Sequence, residues 1–208
     1  MSLTNALIRV EDVTARLGIT DDDDSTTLEP AIQAASDAIY IACGQQFWKT
    51  TTASARIYTP TTQTYARVDP FHTTTDLVVK TDDDDDGVYE TTWAASGYEL
   101  DVFGGGMSNM MTAPYDLIRG VGQIFPVGGQ RRRSLQVTAQ WGWLAIPTPV
   151  VEAGKILAVD LWKRKDVAFG IATSTVEFGG LRISRDLMTQ VASLIGPYRR
   201  MDRTLGFA

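Results

Sequence analysis

Ser134-Leu135-Gln136-Val137-Thr138-Ala139-Gln140-Trp141-Gly142-Trp143 is followed, after Leu144-Ala145-Ile146-Pro147, by Thr148-Pro149-Val150-Val151-Glu152-Ala153-Gly154-Lys155-Ile156-Leu157-Ala158-Val159-Asp160-Leu161-Trp162-Lys163-Arg164-Lys165. The two halves have different periods. In the first, Leu135, Val137, Ala139, Trp141 and Trp143 alternate with Gln136, Thr138 and Gln140, the pattern of a half-buried strand. In the second, Val150, Ala153, Leu157 and Leu161 recur at helical spacing, flanked by Ile156, Val159 and Trp162. Glu152 in the first turn and Lys163, Arg164 and Lys165 in the last suit the helix dipole. Too much of the circumference is apolar for a helix with one free side, so this helix is expected to be central.

Working outward, the N-terminal side carries two more helices. Val13 and Leu17 follow the acidic pair Glu11-Asp12, and Gly18 supplies a C-terminal stop. After Asp21 to Asp24, read as a solvated linker, Thr26 and Glu29 have capping-box spacing and Pro30 is placed in the first turn. Leu28, Ala31, Ile32, Ala35, Ile39, Ala42 and Cys43 then repeat at helical spacing up to Gly44. On the C-terminal side, residues 167–183 read as a glycine-containing loop with a short β-arm at Val176 to Ile183. Ser184 then caps a last helix bearing Leu187, Val191 and Leu194, which Gly196-Pro197 ends.

Between Arg56 and Trp143 helical periodicity disappears and Thr, Val, Tyr and Trp dominate. Leu77–Lys80 and Val88–Trp93 flank Asp82–Gly87 as a hairpin with an acidic tip, and Gly97–Phe103 is a further strand. The expected fold is therefore α+β. It is a four-helix core (two N-terminal helices, one long central helix, one C-terminal helix) at 1–55 and 144–208, with a C-terminal tail. An antiparallel β-module of five to seven strands is inserted at 56–143.

Composition excludes several functions. A chain of 208 residues buries enough surface to need no disulfide staple. One cysteine and one histidine cannot build a zinc site of the usual kind, and any catalytic triad would have to use His72, which has no partner identifiable in the sequence. A net charge of −6 argues against broad electrostatic binding of nucleic acid. No run approaches the 18 apolar residues of a membrane span, and Met1 to Arg9 is too short and too polar for a secretory signal. Walker-type and dinucleotide-binding motifs are absent, and Gly104–Gly106 lacks the setting of a nucleophile elbow. The expectation is a soluble protein of intracellular origin with no catalytic, cofactor or metal site.

Three features carry a residual functional reading. Asp82, Asp84, Asp86 and Gly87 fit positions 1, 3, 5 and 6 of a calcium loop, but position 12 is Trp93, so a solvated tip is the better account. Arg131-Arg132-Arg133 is either an exposed loop or a contact for an acidic protein or a phosphate backbone. Tyr198, Arg199, Arg200 and Arg203 form a second basic cluster, expected to dock into a partner. Cys43, on an apolar helix face, is expected to be a buried structural thiol. Trp141, Trp143 and Trp162 fit the core, whereas Trp48 and Trp93 lie near element ends and suit interface anchors.

Several of these segments, taken in order, resemble a known family. They are Val13-Thr14-Ala15-Arg16-Leu17-Gly18-Ile19, an Asp-rich linker, a helix ending Cys43-Gly44-Gln45-Gln46-Phe47, and Trp141-Gly142-Trp143. Ile146-Pro147 then leads into a helix finishing Leu161-Trp162-Lys163-Arg164-Lys165-Asp166, followed by Arg182-Ile183-Ser184-Arg185-Asp186 and Pro197-Tyr198-Arg199-Arg200. The pattern resembles the head-to-tail connector (adaptor) family of long-tailed double-stranded DNA bacteriophages. It covers about 1–55 and 134–200, and the β-module resembles the longer members from phages of actinobacteria.

The resemblance implies a structural virion protein, not an enzyme. It would form a ring, usually of twelve copies, bind the portal above and a stopper or tail-completion protein below, and let DNA pass through its lumen on ejection. Its place would be the neck of the virion, with host cytoplasm as the site of assembly, and no membrane or cofactor is involved. Three other readings compete with it: a tail-completion or stopper protein of the same neck, a β-rich carbohydrate-binding module using exposed Trp48 and Trp93, and an enzyme, which would need a pocket gathering His72 with carboxylates.

Overall fold

The computed structural model describes residues 3–18, 25–105, 113–128, 133–164, 175–178 and 181–200. The chain divides into two compact units, Met1–Phe47 with Ile146–Ala208, and Trp48–Ala145.

The first unit contains α1 (Val10–Leu17), α2 (Ser25–Cys43), α3 (Thr148–Lys163) and α4 (Arg185–Ile195). Helix α1 begins where the Arg9 N–H donates to Asp12 Oδ2 at 3.3 Å and ends on Gly18, whose φ of +68° places it in the left-handed cap conformation. In α2, Leu28, Ile32, Ala35, Ile39 and Ala42 are buried, the face that the spacing predicts. Each large aliphatic side chain so buried contributes about 1.5–3 kcal/mol. Helix α2 starts at Ser25, so Pro30 lies in its second turn and not its first. Its missing N–H costs the helix one backbone bond at an exposed position. Helix α2 packs chiefly on α3, α4 packs on α3, and the short α1 meets both α2 and α3. The Lys155–Asp12 ion pair at 3.2 Å and the Arg16–Glu152 pair tie α1 to α3.

The expected four-helix core is corrected by the structure. The helical unit is an α2–α3 pair with α1 and α4 added to it, and it also holds the hairpin of β7 (Thr175–Phe178) and β8 (Leu181–Ser184). The other unit is a six-stranded antiparallel sheet with its own hydrophobic core, so helices are only part of the architecture. The reason is physical: apolar periodicity marks the face a helix must bury but not which element covers it.

The sheet comprises β1 (Ser54–Tyr58), β2 (Tyr65–Thr81), β3 (Thr91–Thr92), β4 (Tyr98–Val102), β5 (Tyr115–Gly120) and β6 (Leu135–Trp141). The order is β1-β6-β2-β5-β4, with β3 pairing the end of β2. Strand β2 pairs with β5 from Tyr65 to Phe71 and with β6 from Phe71 to Thr81, with register shifts around Arg67–Phe71 and again up to Val78. Pro70 and Asp76 (φ +59°) fall within those irregular stretches, where a missing donor or a left-handed residue is tolerated. Strand β6 alternates buried and half-buried as its sequence predicts, but ends at Trp141. Gly142, at φ +97°, turns the chain out of the strand, and Trp143 is buried edge-on to Phe103 at 5.4 Å.

Trp141 is the centre of this core. Its ring lies near Tyr58 (6.1 Å) and Phe71 (6.2 Å), and its indole N–H donates to the Ser54 carbonyl at 2.9 Å. The Arg56 guanidinium stands 4.5 Å over the ring and bonds Asp69 Oδ2 at 2.7 Å, which also accepts from the Tyr58 hydroxyl at 3.1 Å.

Candidate functional site

The residues singled out on sequence fall in both units. Arg133 is exposed just before β6, where its carbonyl accepts from the Tyr89 hydroxyl at 2.8 Å. Arg131, Arg132 and Arg203 lie outside the described residues. Tyr198 to Arg200 are not a free tail in the structure. The turn Gly196–Tyr198 brings them back to the end of α2, where Gln45 Nε2 donates to the Tyr198 carbonyl and the Arg200 N–H donates to the Cys43 carbonyl at 2.9 Å. Arg200 is only 3% exposed, so it serves the packing of the helical unit, while Tyr198 and Arg199 are half-buried.

Cys43 is buried at the same place, and desolvation pushes its thiol up to about 12, against the opposing charge of Arg199. A folded sample at pH 8 should therefore fail to react with a thiol reagent, while guanidinium-unfolded chain reacts fully; rapid reaction of the folded chain would contradict the burial.

His72 is half-buried on β2, and its Nδ1 has no hydrogen-bond partner among the described residues. Burial and then the charge of Lys49 hold it below its ordinary pKa, and no ion pair joins it to a carboxylate among the described residues. An open trough of about 640 Å³ on β2, β4 and β5 has Arg67 paired with Asp116 at 3.1 Å and Arg119 with Asp101 at 2.9 Å. Its charges are thus matched within the trough.

Trp93 is 5% exposed, stacked on Phe125 at 4.6 Å, with its indole N–H donating to Thr81 Oγ1 at 3.1 Å. It is a core residue and is not available to stack on a sugar.

Of two further arrangements, one escaped the sequence reading and the other was read only in part. The first is the β5–β6 connection. Phe125 is driven into the core, and the Phe125 N–H donates to the Gln63 carbonyl and the Val121 N–H to the Gly97 carbonyl, each at 2.9 Å. Pinned in this way, the loop turns Val121, Ile124 and Val127 outward, with Ile124 63% exposed. Single exposed aliphatics are ordinary, but here three stand in one short loop, in the stretch of sequence that leads to Arg131-Arg132-Arg133. The sequence signal was there: apolar residues three apart around an inward aromatic.

The second is the acidic tip between β2 and β3. One carboxylate oxygen each from Asp82, Asp84, Asp86 and Glu90 all lie within 4.8 Å of one another. The sequence reading considered the first three and overlooked Glu90, because it tested the position that matters in a helix-flanked loop.

No helix among the described residues is long and apolar enough to cross a membrane. No family model and no curated protein matches the sequence. Among solved structures, the fold is similar to a chain from the neck of an empty gene transfer agent (GTA) particle, computed with C6 symmetry, at TM-score 0.58 and 18% identity over 100% of this chain and 96% of that one. It is similar also to a chain from the neck of a native GTA particle, computed with C12 symmetry, at TM-score 0.51 and 19% identity over 100% and 99%. A chain from the virion of a native GTA particle matches at TM-score 0.54 and 18% identity over 100% and 96%. What these likenesses establish for this chain is its fold.

Proposed function

We propose that this chain is a structural protein of the neck of a phage-like particle, a head-to-tail adaptor. Copies of it close into a ring through heterologous side-to-side contacts, join the portal to the stopper or tail, and surround a lumen through which DNA passes. The observation that carries this reading is the coverage of the likeness: all of this chain against 96–99% of chains from GTA necks. The helical unit and the sheet unit are therefore both accounted for. Symmetries of C6 and C12 in those particles make six or twelve copies the stoichiometries to look for. A further feature supports the reading: a net charge of −6 disfavours adhesion to passing DNA.

The β5–β6 connection, with Val121, Ile124, Val127 and the arginines 131–133, is the surface assigned to a partner subunit. Arg203 is assigned to the portal contact. Native mass spectrometry of the chain alone and with its cognate portal tests the reading: a portal-dependent complex holding six or twelve copies is expected, and a monomer indifferent to portal would refute it. In the same assay Arg133→Glu combined with Arg203→Glu should weaken association at least about tenfold with unchanged melting of the free chain. Arg200 is unsuitable for such a test because reversing a buried charge unfolds the site that holds it. One observation favours a stopper role in the same neck, namely the size of the antiparallel sheet unit. Binding to the tail-side protein and not to portal would select it.

A further inference from the structure

We propose that the Asp82–Glu90 tip is a calcium site. Its protein ligands are one carboxylate oxygen from each of Asp82, Asp84, Asp86 and Glu90, together with the Val88 main-chain carbonyl. Calcium loops take carboxylates at positions 1, 3 and 5, glycine at 6, a backbone carbonyl at 7 and a further ligand at 9. Counting from Asp82, those positions are Asp84 and Asp86, Gly87, Val88 and Glu90. Position 12 supplies a ligand where a helix carries it back to the ion. Here the chain goes straight into β3, which pairs with the end of β2 through Thr81↔Thr91 and Lys80↔Thr92. That pairing returns Glu90 to the cluster. The carboxylate oxygens lie within 4.8 Å of one another, the separation of two ligands on opposite sides of an ion bound at about 2.4 Å. Gly87, at φ +92°, makes the turn that the sixth position requires.

The observation that separates this tip from an ordinary acidic loop is Asp82. It is 2% exposed, its Oδ2 accepts from the Gly87 N–H at 2.8 Å, and its Oδ1 has no hydrogen-bond partner among the described residues. A buried carboxylate with an unmatched oxygen, grouped with three more carboxylates, is costly without a cation and satisfied with one. Four carboxylates and a carbonyl also suit calcium, which takes six to eight oxygens in flexible geometry, better than magnesium, which keeps most of its water.

The test is titration of calcium chloride into the chelator-stripped full chain at physiological salt, followed by calorimetry and thermal unfolding. One calcium per chain is expected, with Kd in the range of about 10⁻⁵–10⁻³ M, and a rise in Tm of about 5 °C or more at a hundredfold excess over Kd. Asp84→Asn and Glu90→Gln change exposed side chains and should each weaken calcium binding about tenfold or more. They should leave the calcium-free Tm equal or raised, because one of four crowded like charges is gone. Absence of calcium-dependent heat and Tm shift overturns the proposal. So does a shift that survives in both variants, or a magnesium response equal to that of calcium.

Discussion

Gly142→Ala should unfold the sheet unit at a denaturant concentration far below that of the wild type, with a loss of at least about 3 kcal/mol. A Cβ at this position would lie 1.9 Å from the Trp48 carbonyl oxygen, 2.7 Å from its carbon and 3.0 Å from the Lys49 Cα. All three are main-chain atoms, so no rotamer change relieves the clash. The φ of +97° adds strain of its own for any residue with a Cβ. The displaced backbone is also the one that bonds β6, because the Thr50 N–H donates to the Trp141 carbonyl and the Trp141 N–H to Thr50 Oγ1, each at 2.8 Å. Urea unfolding followed by tryptophan fluorescence measures the effect. A midpoint matching the wild type would show that the two segments do not approach in this way.

Trp141→Ala should cost about 3–5 kcal/mol, the range for deleting a buried large aromatic. The side chain is fully buried, so the substitution leaves a cavity beside Tyr58 and Phe71. It also removes the ring under Arg56 and the donor to Ser54. Trp141→Phe should fall well short of that loss, since most of the volume stays and chiefly the indole N–H bond is lost, about 1 kcal/mol. Thermal or urea unfolding of the pair separates packing from hydrogen bonding. Equal losses for the two variants would mean that the bond to Ser54, and not the ring, dominates.

Periodicity made α2, α3 and β6 legible because each buries one continuous face, and Leu28, Ile32, Ile39, Val150, Leu157, Val137 and Ala139 are all buried where it places them. The β7–β8 arm was legible from residues Val176 to Ile183. Of strand β2 only the end, Leu77–Lys80, was legible, and the stretch before it was not, because Pro70, Thr73-Thr74-Thr75 and Asp76 look like turn residues. They are tolerated within one strand because it changes partners from β5 to β6 along its length. The packing of the helices was illegible for a related reason, since an apolar stripe names no partner. At the candidate surfaces, the arginine clusters were visible as composition. The burial of Arg200 was not, because it depends on a main-chain bond to Cys43 across a separation that no local pattern encodes. Glu90 was missed because the reading went to position 12 and not to position 9, and because the pairing of Thr91 with Thr81 that carries it back to Asp82 is not visible in the sequence.

The pairing of β1 with β6 has a consequence for how the chain tolerates its own middle. Ser54 faces Ala139 and Thr50 is bonded to Trp141, so the sheet unit begins and ends at one place. The entropy of closing a loop depends on holding its ends together, and here the strand ladder does that within the unit itself. To the rest of the polypeptide, everything from Trp48 to Ala145 is then equivalent to a short turn. Tips within it, including the acidic one, can lengthen or shorten without separating the two ends of the unit.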